Sequence, residues 1–164
     1  MIRPRARLLV PLAVAATVLQ PAIRMQPGFS LLPDIGWLLL LWAVPLPSTE
    51  SWKRPIFLVL MFGILRTSVS ATSPFAAWAG YGGGLLVRGA LDRRLSEYSV
   101  GLRFLVGFGA SLPLALMDYS SAARLGGTTP DAVVFLHQAW IAGLIWAVLR
   151  RPARAAWGRG EARR

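Results

Sequence analysis

"FLVLMFGILRTSVSATSPFAAWAG", residues 57–80, decides how this chain is read. Apart from Arg66, every residue in it is apolar or small. Such a run is a buried helix or a membrane span. A lone guanidinium inside it is costly in hydrocarbon unless a carboxylate or a water-filled recess meets it. Arg66 therefore demands a partner, and that partner must come from another apolar run at the same depth.

Composition supplies the other runs. The chain has 164 residues, the length of one domain. Hydrophobic residues make up 55% and charged residues 15%, against roughly 25% charged in an average soluble domain. The charges cluster at the ends and in short joints. There is no cysteine, which excludes disulfides, thiolate metal sites and cysteine nucleophiles. One histidine and seven acidic residues leave little material for a metal centre, and no cofactor is expected. The formal net charge of +11 comes from arginines that flank apolar runs. That placement points to membrane topology and anionic headgroups, with the lipid bilayer rather than nucleic acid as partner.

Six apolar segments are legible, at about residues 7–23, 30–47, 55–71, 74–91, 100–118 and 131–150. Pro55 and Pro74 suit first helical turns, and Asp131 suits an N-cap. Segments slightly shorter than about 20 residues imply local bilayer thinning or a re-entrant pair. With the N-terminus inside, the inner joints carry Lys53, Arg54, Arg93 and Arg94, and the tail is rich in arginine. The outer joints carry only Arg24 and Arg124. The expectation is an all-α polytopic membrane protein of about six transmembrane helices, with both termini cytoplasmic. Residues 1–152 form the six-span domain and 153–164 a basic tail. The start, "MIRPRARLLVPLAVAA", also has the make-up of a signal peptide; the charge pattern fits six spans without cleavage.

Polar residues inside the runs are the candidate site. Asp34, at the outer end of the second segment, lies at similar depth to Arg66, and Asp118 is a second candidate partner. His137 falls in the same outer half, so Asp34, Arg66, Asp118 and His137 form a candidate intramembrane cluster. Snorkelling of Arg66 to the outer headgroups is the plainer alternative. Gly80 and Gly84, in "GYGGG", and Gly107 and Ser111 are each four apart and supply small faces for helix packing. Arg88 and Asp92 are spaced to meet on one helix. With Arg93 and Arg94 they form a solvated inner helix end and a candidate docking patch. Ser111 and His137 nominally offer a nucleophile and a base, but Leu112 and Pro113 follow the serine where intramembrane serine proteases typically place glycine. No enzyme is expected.

"LLPDIGWLLLLWAVPLP" (31–47) resembles the second span of the rod shape-determining protein MreD family, with its Pro-Asp start, apolar run and proline-containing joint. "FLVLMFGILRTSVSATSPFA" (57–76) is similar to the family's next span, and "AGLIWAVLRRP" (142–152) to its basic-ended last one. The resemblance implies a non-enzymatic subunit of the bacterial cell-elongation machinery in the inner membrane. Its partners would be an MreC-like protein and the RodA and penicillin-binding protein 2 complex, and it would link MreB filaments indirectly to peptidoglycan synthesis. The family usually carries aspartate near the position of Arg66, so no role of that acidic residue carries over. The competing class is transport. The MreD fold resembles the substrate-binding subunit of energy-coupling-factor vitamin transporters, for which the outer-half polar residues would line a pocket.

Overall fold

The computed structural model describes residues 6–25, 31–44, 53–70, 72–94, 99–126 and 131–149. The expected basic tail, 153–164, lies outside them. Among the described residues there are six helices and no strand: α1 (Ala6–Arg24), α2 (Ile35–Ala43), α3 (Lys53–Val69), α4 (Pro74–Arg94), α5 (Val100–Leu125) and α6 (Ala132–Leu149).

Local chemistry sets most of the helix starts. The Asp34 carboxylate accepts from the Trp37 backbone N–H at 2.9 Å, the Ser99 hydroxyl from Leu102 at 3.1 Å, and the Asp131 carboxylate from Val133 at 2.9 Å. Each satisfies a donor that the first helical turn leaves open. Pro55 sits in the first turn of α3, where a missing N–H costs nothing. The prolines within α1 and α5, Pro11, Pro21 and Pro113, do not end those helices.

One expected span is cut short. Helix α2 has nine residues, about 13 Å at 1.5 Å per residue, less than half of a hydrocarbon core of about 30 Å. Pro33 and Asp34 hold its start back from residue 30, because the Asp34 backbone is extended to act as the cap. Helix α5 goes the other way and runs seven residues past Asp118, through "YSSAARL". Among the described residues two helices, α5 and α6, are long and apolar enough to cross a membrane. Val10–Arg24 and Pro55–Val69 are apolar but shorter.

The short helix is the centre of the bundle. Trp37, Leu40 and Leu41 of α2 are buried among Phe62 of α3, Tyr81 and Leu85 of α4 and Ala110 and Leu114 of α5. Helix α5 packs most extensively, against α4 on one side and α6 on the other, while α1 leans on α2 and α3. Small residues permit the close approaches. A Cβ on Gly84 would come within 2.3 Å of the Trp37 ring and 2.5 Å of the Ala110 carbonyl oxygen. One on Gly80 would meet Leu114, and one on Gly107 would meet Trp146. These residues thus serve helix packing inside the subunit, α4 against α2 and α5, and α5 against α6.

A buried ionic site at one end of α2

Arg66 lies near the end of α3 and is 8% exposed. It does not snorkel. Its Nη1 is 2.6 Å from Asp34 Oδ2, and its Nη2 donates to Asp118 at 2.6 Å. Both expected partners are engaged at once, because the guanidinium fork presents two nitrogens to two helices. The Tyr81 hydroxyl of α4 donates to Asp34 Oδ2 at 3.2 Å, and the Arg66 guanidinium lies 5.6 Å from the Tyr81 ring centroid. Asp34 has a further duty, since its other oxygen caps α2. The site therefore ties α2, α3, α4 and α5 together through one arginine, two aspartates and a tyrosine.

Trp37 extends the network. It stacks on Tyr81, with ring centroids 6.0 Å apart, and its indole N–H donates to the Ser111 hydroxyl at 2.8 Å. Ser111 in turn donates to the Gly107 carbonyl at 2.8 Å. That hydroxyl is used structurally on both sides.

His137 does not join the cluster. It is exposed, and its Nδ1 lies 2.9 Å from the Val133 carbonyl oxygen of its own helix. Its depth along the sequence is compatible with the site, but its face of α6 is not. Helix periodicity turns it outward, while Ala139 and Ala142 are turned inward.

The other end of α2 holds a second buried arginine. Arg88 is 2% exposed, which removes it from any docking surface. It donates to the Leu41 and Val44 carbonyls, at 2.5 and 3.0 Å, where the helix leaves its carbonyls open. Its Nε lies 3.4 Å from Asp92, the pairing that their spacing implies. Its guanidinium sits 4.7 Å from the Trp146 ring centroid. Asp92 is also covered, with a side chain 6% exposed. Two members of the expected solvated patch, Arg88 and Asp92, are thus interior. Arg94 remains exposed, and the Arg93 side chain lies outside the described residues.

A cavity of about 190 Å³ opens beside the ionic site. Its walls include Thr17, Gln20 and Arg24 of α1, Ser70 at the end of α3, and Arg66 and Tyr81. Gln20 accepts from the Ile35 backbone N–H at 3.1 Å, and Arg24 donates to the Leu32 carbonyl at 2.8 Å. Sequence reading gave Gln20, Tyr81 and Trp37 no place in the site and treated Arg24 only as a topology charge. The available signal was depth, since Gln20, Arg24 and Tyr81 fall level with Asp34 and Arg66 in a six-segment layout.

Among the described residues no group of three or more His, Cys, Asp or Glu side chains is placed to hold a metal ion. No family model, no curated protein and no solved structure matches the chain.

Proposed function

We propose that the chain is a multi-pass inner-membrane subunit of the MreD type, a non-enzymatic scaffold of the cell-elongation machinery. The reading rests on the run 31–47, whose Pro-Asp start, apolar stretch and proline-containing joint resemble the second span of that family. The geometry of the same run supports it. Asp34, Arg66 and Asp118 are spent on one another and on the α2 cap, as expected of a scaffold whose polar residues hold helices in place. Membrane placement draws support from the surface. Helix α6 is apolar apart from His137 and Gln138, yet Val133, Leu136, Trp140, Val148 and Leu149 are exposed. A soluble protein rarely shows so large an apolar face, whereas lipid covers one at no cost. On this reading the bias of arginines toward one set of joints supports an orientation with the Arg88 end in the cytoplasm and the Arg66 end outside.

The cavity beside Arg66 supports a second reading, the substrate-capturing subunit of an energy-coupling-factor type transporter. One experiment separates the two. The tagged protein is purified from its host membranes in mild detergent and what accompanies it is identified by mass spectrometry. The scaffold reading expects MreC-like and wall-synthesis proteins. Recovery of paired ATPases with a coupling subunit would replace it with the transport reading.

A further inference from the structure

We propose that the cavity between α1 and α3 is an oxyanion site, with Arg24 as its anchor, for the phosphate of a lipid headgroup or of a small phosphorylated solute. The first support is charge. The walls carry Arg24, Arg66 and Asp34, and both Asp34 and Asp118 are committed to Arg66, which leaves Arg24 as the wall cation that no carboxylate among the described residues holds. The two cations differ in how they are used. Arg66 is held by two carboxylates. Arg24 has no carboxylate within ion-pair distance among the described residues; its Nη2 donates to a backbone carbonyl, and its Nε is buried with no hydrogen-bond partner. A half-buried guanidinium left with open donors matches the planar, charge-assisted recognition of a phosphate or carboxylate.

The second support is neighbouring chemistry. Gln20 uses its amide oxygen on Ile35, which turns the identity of its remaining group into a donor. Thr17 donates to the Ala13 carbonyl at 2.7 Å and Ser70 to the Arg66 carbonyl at 2.9 Å, so each hydroxyl has lone pairs left to accept from ligand hydroxyls. The cavity thus offers donors on α1 and acceptors on both walls. Its 190 Å³ exceeds the roughly 150 Å³ cavity that holds a six-carbon ring, enough for a phosphate with a small polar substituent.

The third support is location. Arg24 is the last residue of α1. On the arginine bias, that end of the bundle meets the outer headgroup layer. Helix α1 packs mainly on α2 and α3, and lightly on each, so the cavity borders a loosely enclosed helix.

The site does not depend on the scaffold reading, and the test keeps them apart by using only the purified full chain. Thermal unfolding is followed in detergent with inorganic phosphate or with phosphatidylglycerol added, and native mass spectrometry reports phospholipid carried from the host membrane. At ten times the dissociation constant the midpoint should rise by about 3–6 °C. Arg24→Gln, which keeps a donor for Leu32, should abolish the rise, and Arg124→Gln should retain it. Thr17→Leu, which fills the cavity without touching any charge, should also abolish it. A response to phosphatidylglycerol with retained phospholipid assigns the site to lipid; a response to inorganic phosphate alone assigns it to a solute. A wild-type chain indifferent to both probes, or an unchanged response in Arg24→Gln or Thr17→Leu, overturns the proposal.

Discussion

Arg66→Leu is the most informative substitution in this protein. It leaves Asp34 and Asp118, whose side chains are 7% and 12% exposed, facing each other without the cation between them. Removing one partner of a buried ion pair costs about 3–5 kcal/mol, because the remaining charge stays desolvated. Here two carboxylates are stranded together, so the upper half of that range applies. At about 2–4 °C per kcal/mol for a chain of this size, the midpoint should fall by roughly 8–20 °C. Asp118→Asn should be far milder. It converts a site with one surplus negative charge into a neutral Arg66–Asp34 pair and keeps an acceptor for Nη2. Joining Arg66→Leu to Asp118→Leu removes the repulsion and should recover part of the loss, a coupling of about 1–3 kcal/mol in a double-mutant cycle. The assay is thermal or denaturant unfolding of the purified chain in one detergent. Additive losses from Arg66→Leu and Asp118→Leu would refute the ionic bridge, whatever their individual sizes.

Arg88→Lys should cost nearly as much as Arg88→Leu, since an ammonium cannot serve the Leu41 and Val44 carbonyls while lying flat over Trp146; near-wild-type unfolding of the lysine variant would contradict this. Gly84→Ala should destabilise by about 1–3 kcal/mol through collision with Trp37 and the Ala110 carbonyl, whereas Gly82→Ala, with open space around it, should be neutral or slightly stabilising in the same assay. A reporter fused after Arg164 should be active only in its cytoplasmic form, and an external signal would reverse the orientation assigned from the arginines.

The helices were legible because apolar runs and capping residues are local. Five of the six segments lie within a few residues of their helices at nearly every boundary. The failures share a cause: hydropathy reports affinity for lipid, not where a helix stops. It missed the end of α5, since "YSSAARL" is polar yet helix-compatible, and it lengthened α2, whose limits are set by the Asp34 cap and the Arg88 clamp. Depth arguments found the Asp34–Arg66–Asp118 meeting because depth is one coordinate. They could not exclude His137 or enclose Arg88, because rotation about the helix axis is the other coordinate, and low amphipathicity leaves it unmarked in α3, α4 and α6.

The two aspartates reach Arg66 from opposite sides of the sequence, and for a chain made from its N-terminus this imposes a timetable. Asp34 precedes Arg66 in the sequence and so emerges from the ribosome first, and Asp118 follows Arg66 52 residues later. In the proposed membrane placement, the arginine would follow a neutralising carboxylate into the bilayer. The late aspartate then arrives at an Arg66–Asp34 pair whose second guanidinium nitrogen is still open to it. A circular permutant that begins at residue 72 would synthesise Asp118 before either partner, and glycosylation mapping of that permutant should show α5 entering less efficiently than in the natural order; equal efficiency would mean that the timetable has no bearing on insertion.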